Sequence, residues 1–236
     1  MLDVLDHVSF SVQKGEFVSI VGPSGCGKST LLRIISGLER PSAGSVLIDG
    51  RPVSGTAHDR GFIFQAVGLY PWRNTIENVE FFLELKGVPK EERQRIALEK
   101  LQLVGLADFA SYPPVQLSGG MQQKVAIARA LSTEPTLLLM DEPFGALDAL
   151  SREKAQSDLL QILSRDTERS ILFVTHSIEE AVYLSDKVVV FSPRPGKIKE
   201  LVQVELGSRR FERDIRSEQR FASYCTEVRH HLISGE

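Results

Sequence analysis

The chain has 236 residues, 28 lysines and arginines against 31 aspartates and glutamates (formal net charge −3), 42% hydrophobic residues and two cysteines. Its longest apolar runs are four residues, as in Leu137-Leu138-Leu139-Met140, whereas a membrane-spanning helix needs about 20. A membrane span, a secretory leader and a disulfide scaffold are therefore not expected, and the slightly acidic balance speaks against a nucleic-acid binder.

Residues 8–12 (Val-Ser-Phe-Ser-Val) alternate apolar and polar, the pattern of a half-buried strand. Lys14-Gly15 is a turn, and residues 17–21 read as a buried strand running into a glycine-rich stretch from Gly22 to Gly27. From residue 28 to 38, Leu31, Leu32, Ile35 and Leu38 recur at helical spacing, with Gly37 near the end. Residues 46–48 before Asp49-Gly50 predict a strand and turn, and residues 61–64 another short strand. The texture then changes: residues 74–85, 90–104 and 120–131 read as helices. Three buried strands are predicted at 137–140, 171–174 and 188–191, separated by helices at about 149–165 and 178–184. The tail offers a strand or hairpin at 197–206 and a terminal helix with an apolar stripe of Phe221, Cys225, Val228 and Leu232. Strands alternating with helices predict an α/β fold with a parallel sheet covered on both faces. The middle block predicts a helical insertion at about 69–132 in a core of about 1–68 and 133–236.

Gly22-Pro23-Ser24-Gly25-Cys26-Gly27-Lys28-Ser29 fits G-x-x-x-x-G-K-[ST] between a strand and a helix, and Thr30 follows. Glycines let backbone N–H groups turn inward around a polyphosphate, and the helix N-terminus adds partial positive charge. Lys28 is placed to neutralise β/γ oxygens, and the Ser29 hydroxyl to join a Mg²⁺ shell. Cys26 reads as a small spacer. Asp141 and Glu142 end a buried strand, and successive residues leave an extended strand on opposite sides. Asp141 suits the metal, and Glu142 suits a water attacking in line. Leu117-Ser118-Gly119-Gly120-Met121 opens a helix as a second ready-made anion site, although a plain helix cap explains it better when taken alone.

The order of these motifs resembles that of ATP-binding-cassette ATPases. The phosphate loop at 22–29, Gln65, residues 117–121, Asp141-Glu142, Ala146-Leu147-Asp148 and His176 follow one another as in that family. The resemblance implies a P-loop NTPase core with an N-terminal antiparallel β part and the inserted helical subdomain. It implies ATP and Mg²⁺ as ligands, with Ser29, Gln65 and Asp141 toward the metal. It also implies a head-to-tail pair of cassettes, each ATP lying on one phosphate loop and under Ser118, Gly119 and Gly120 of the second copy. Gln65 would reach the metal and the attacking water, His176 would contact the γ-phosphate and hold Glu142, and Asp148 would lie along the dimer seam. Residues 69–72 (Leu-Tyr-Pro-Trp) would dock on transmembrane permease subunits, with a solute-binding protein as indirect partner, at the cytoplasmic face of the membrane. The aromatics there are also open to a plain core role.

Met140-Asp-Glu-Pro-Phe-Gly-Ala-Leu-Asp-Ala-Leu and Phe191-Ser-Pro-Arg-Pro-Gly-Lys look like the importers of nitrate, sulfonate, taurine and related small anions, or of thiamine-precursor pyrimidines. The family's adenine-stacking aromatic has no counterpart in the 21 residues before Gly22, where the first aromatic, Phe10, sits in a strand that looks structural. Losing that stack predicts weakened ATP binding, by about 1–3 kcal/mol. Gln122, Lys124, Ser177 and Ala66 depart from common family choices without removing a catalytic group. The competing readings are a soluble cassette ATPase acting on nucleic acid and a non-hydrolysing regulatory module. The first lacks its usual coiled coil or tandem cassette here, and intact Lys28, Asp141, Glu142 and His176 speak against the second.

Overall fold

The computed structural model describes residues 3–164, 168–207, 210, 212 and 215–233. Strand β1 (Phe17–Val21) leads through the glycine-rich loop into helix α1 (Lys28–Ser36). A two-residue hairpin follows, β2 (Leu47–Ile48) with β3 (Arg51–Pro52), then strand β4 (Arg60–Ile63). Three helices come next: α2 (Thr75–Leu85), α3 (Lys90–Leu103) and α4 (Gly119–Leu131). The second half alternates β5 (Leu137–Asp141), α5 (Ala149–Leu163), β6 (Ser170–Thr175), α6 (Ile178–Leu184), β7 (Lys187–Phe191), β8 (Ile198–Gln203) and α7 (Gln219–Ile233). Residue 165, the end of one predicted helix, lies outside the described residues.

The main sheet has the order β4-β5-β6-β1-β7-β8. Its first five strands are parallel, and β8 runs antiparallel to β7 at the edge. The short apolar runs are explained by burial on both faces. Val18, Ile20, Leu139, Leu172, Val174, Val189 and Phe191 face α1, whose Leu31, Leu32 and Ile35 close that layer. Phe17, Val21, Leu138, Met140, Ile171, Phe173, Val188 and Val190 face the opposite core, which takes in α4 to α7. Each strand thus divides its residues by period two between the two layers.

The predicted strand at 8–12 does not form. Val8, Phe10 and Val12 are half-buried and Ser9 and Ser11 exposed, as the alternation requires. Alternation reports which face is covered, not whether a neighbouring ladder exists. Phe10 therefore packs from an irregular segment against the α1 layer. Apart from edge strand β8, antiparallel pairing among the described residues is confined to the β2–β3 hairpin.

Two local devices set the helical block. Asn74 caps α2 by accepting from the Glu77 amide at 2.9 Å, and the Glu77 carboxylate accepts from the Asn74 amide at 2.8 Å. The Arg129 guanidinium, only 8% exposed, donates to the carbonyls of Gly68 (2.8 Å) and Val67 (3.1 Å), which fixes the loop after β4 to α4. Tyr70 is half-buried between Phe81 (4.4 Å between ring centres) and Trp72, but Trp72 itself is 76% exposed. A core role thus fits Tyr70 and not Trp72.

Candidate functional site

Four neighbouring parallel strands, β4, β5, β6 and β1, end on the same edge of the sheet. In open α/β sheets that carboxyl edge is where ligands bind. The edge collects Gln65 after β4, Asp141 and Glu142 at β5, His176 after β6, and the glycine-rich loop after β1.

The loop is shaped by its glycines. Gly27 has φ +104°, a left-handed conformation strained for any residue with a Cβ, and a Cβ there would also lie 2.7 Å from Leu5. A Cβ on Gly22 would lie 2.8 Å from the Phe191 side chain. Pro23, Ser24 and Gly25 are exposed at the rim, Cys26 is buried beneath them, and Ser29 and Thr30 are half-buried in the first turn of α1. That turn has neither a side-chain cap nor an acidic residue, so its N–H groups keep their capacity for an anion. The Lys28 ammonium donates to the carbonyls of Gly22 (2.8 Å) and Pro23 (3.1 Å), and Lys28 is only 6% exposed. A buried cation in this collar, beside the uncapped first turn of a helix, suits an anion such as a polyphosphate.

Beside the collar, the Ser29 hydroxyl donates to Asp141 Oδ1 at 2.9 Å. Burial pushes the Asp141 carboxyl above its ordinary value, against the pull of that hydroxyl and with the neighbouring Glu142 adding to the rise. A divalent cation would reverse that preference. Among the described residues no cluster of three or more His, Cys, Asp or Glu side chains could hold a metal by itself. The Ser29–Asp141 pair fits Mg²⁺, which is bound through one or two protein groups plus phosphates.

Glu142 is the meeting point of three elements. Its φ of +45° is uncommon for a residue with a Cβ. The conformation is held because its N–H donates to the Val174 carbonyl (2.9 Å) and its carbonyl accepts from Gly145 N–H (3.1 Å). Its Oε2 lies 3.2 Å from His176 Nδ1 and accepts from Gln65 Nε2 at 3.4 Å. A carboxylate so oriented, partly open to solvent and next to the Asp141 site, is arranged to accept a proton from a positioned water.

Ser118 caps α4, accepting from the Met121 amide at 3.3 Å. Leu117 is buried, Ser118 and Gly119 are exposed, and Gly120 and Met121 are half-buried. Among the described residues no hydrogen bond or ion pair joins these five residues to the phosphate loop, Asp141, Glu142 or His176 of the same chain. Gln122 braces the segment by donating to the carbonyls of Pro114 (3.0 Å) and Leu117 (3.2 Å). Asp148 caps α5, accepting from the Ser151 amide at 3.0 Å, and the Ser151 side chain first, with this amide second, holds its carboxyl below the usual carboxylate range. Ser177 caps α6 by accepting from the Glu180 amide at 3.2 Å.

The braces behind the site were not expected from the sequence. Arg129 holds the carbonyls two and three residues past Gln65, and Arg152 and Glu180 hold the loops that carry Glu142 and His176. The available signal was a basic or acidic residue standing among apolar helix positions at 129 and 180.

A family model described as ABC transporter matches residues 5–145. An uncharacterized ABC transporter ATP-binding protein of Methanocaldococcus jannaschii is 54% identical over 202 residues, covering 86% of this chain and 75% of its own length. The taurine import ATP-binding protein of Rhizobium johnstonii is 48% identical over 236 residues, covering 98% of this chain and 90% of its own. Among solved structures, a dimeric ATP-binding cassette in a post-hydrolysis state with ADP and Pi superimposes with a TM-score of 0.73 at 37% identity, over 86% of this chain and 91% of that one.

Proposed function

The chain belongs to the ABC transporter family, and from that premise we propose that it is the ATP-hydrolysing subunit of an importer for a small sulfonate such as taurine. The observation that carries the catalytic reading is Glu142, which meets His176 and Gln65 beside the Ser29–Asp141 pair. Relatives named for taurine import support the direction and the solute class.

In this reading Gly22 to Thr30 wrap the phosphates, and Lys28 supplies the buried positive charge. Ser29 and Asp141 would hold Mg²⁺, with Gln65 toward it. Bound Mg²⁺ neutralises charge developing on the phosphate oxygens. Glu142 orients the attacking water and takes its proton, a role worth about 10²–10⁴ in rate. His176 fixes the carboxylate from one side and Gln65 from the other. Leu117, Ser118, Gly119, Gly120 and Met121 complete the phosphate site of a second copy, a reading supported by the dimeric form of the similar solved cassettes, and Asp148 lines the seam.

No described helix is long and apolar enough to cross a membrane. In this reading the chain works with permease subunits at the cytoplasmic face, docked through the helical block from residue 69 to 132 around exposed Trp72. A solute-binding protein takes part indirectly. The test is radiolabelled taurine uptake in a strain lacking the gene, complemented with wild-type chain or Glu142→Gln. The wild-type chain should restore uptake and the variant should not. Uptake without complementation would refute the importer reading.

A further inference from the structure

The loop from Glu142 to Asp148 and the strand end bearing His176 are joined by more than the Glu142–His176 contact. Arg152, in the first turn of α5, donates from Nε to the Phe144 carbonyl (3.3 Å) and from a terminal nitrogen to the Leu147 carbonyl (3.0 Å). The same Nε lies 3.8 Å from Glu180 Oε1. Glu180 is 7% exposed, and its other oxygen accepts from the Thr175 hydroxyl at 2.5 Å. Thr175 is the residue before His176, and its hydroxyl in turn accepts from the Ser177 amide at 3.0 Å. Gln156 donates to Glu180 Oε1 at 2.9 Å, and Arg216, stacked 3.7 Å over the Tyr183 ring, donates to Gln156 at 2.5 Å, so the carboxylate is held on every side.

We propose that Arg152, acting through Glu180 and Thr175, is a positioning residue that sets the Glu142–His176 geometry and ties it to the seam loop at 144–148. The inference rests on the catalytic reading of Glu142 and His176 given above. The planar fork of arginine binds two carbonyls of the loop while the same group faces Glu180, which lysine, a point charge on a flexible stem, does not reproduce. Arg152 lies outside the phosphate collar, so its loss should act on turnover rather than on nucleotide binding.

The test compares steady-state ATP hydrolysis and nucleotide affinity for the full chain, Arg152→Ala, Arg152→Lys, Thr175→Val and the Arg152→Ala/Thr175→Val pair. Glu142→Gln serves as the control. Misplacing a catalytic group by a fraction of an ångström predicts a kcat about tenfold lower in Arg152→Ala, with KM and nucleotide affinity within about twofold. Arg152→Lys should recover only part of the loss. Because the two residues act on one geometry, the double variant should be no slower than the slower single variant. Wild-type kcat in Arg152→Ala, multiplicative losses in the double variant, or a loss of affinity in place of kcat would overturn the proposal. If Arg152→Ala does not fold, Arg152→Lys and the near-isosteric Thr175→Val decide, and wild-type kcat in both would overturn it. Failure of the underlying reading looks different: Glu142→Gln itself would then retain turnover.

Discussion

Replacing Lys28 isolates the electrostatic part of the phosphate site. Its ammonium is nearly enclosed and spends two of its donors on the Gly22 and Pro23 carbonyls. Its third contact is the weak acceptor Cys26 Sγ at 4.0 Å, which a phosphate oxygen in the collar would displace, so one donor and the full charge are available to a ligand. A hydrogen bond to a charged group contributes about 1.5–3 kcal/mol. At about 1.4 kcal/mol per tenfold, removing it should weaken nucleotide binding by about 10- to 100-fold. Lys28→Met keeps most of the buried stem and removes the charge, and Lys28→Ala removes both. Calorimetric titration with ATP and Mg²⁺ should therefore give losses of the same order in the two variants. The affinity of the wild-type chain should also fall with added salt more steeply than that of either variant. An ATP affinity for Lys28→Met within twofold of wild type would refute the reasoning, because the stem and not the charge would then be holding the loop.

Asn74→Ala removes the reciprocal cap of α2 and should destabilise the chain by about 1 kcal/mol, read as a lower urea midpoint with unchanged slope. An unchanged midpoint would mean that packing alone sets the start of that helix. Burial pushes the Cys225 thiol up to about 11, with Glu179 adding to the rise, and burial raises Cys26 as well. Both thiols should therefore label slowly at pH 8 in the folded chain and rapidly in denaturant; fast labelling of the native protein would contradict their placement. The fold favours the neutral thiol in each case. Its contribution is intact below the ordinary thiol value of about 8.5 and lost as pH rises from there toward 11, so chemical stability should decline over that alkaline range.

What could be read from residues and what could not divide along a physical line. Strand runs such as residues 137–140 and 188–191 were legible because burial on both faces leaves an unbroken apolar signal. Gly37 marked the end of α1 because its φ of +80° suits glycine. The phosphate loop, Asp141 and Glu142 were legible because each sits within a few residues of the strand that positions it. Residues 8–12 misled because their side-chain alternation is real while their backbone lacks a ladder. The convergence of Gln65, Glu142 and His176 was expected only by family likeness, since nothing local in 65 or 176 points to 142. Arg129 stayed hidden because its partners are carbonyls about 60 residues away in the chain, and Arg152 and Glu180 because a backbone carbonyl and a hydroxyl, although only five residues away, leave no mark in composition or period.

The central claim is that hydrolysis takes place at a site completed by a second copy, with Glu142 as the group that activates water. Light scattering of Glu142→Gln with and without ATP, run beside a turnover assay of the same sample, tests it most directly. The account predicts ATP hydrolysis reduced by about 10²-fold or more and an ATP-dependent shift to twice the monomer mass. A variant that stays monomeric at all concentrations with ATP bound, or that turns over at the wild-type rate, would contradict it.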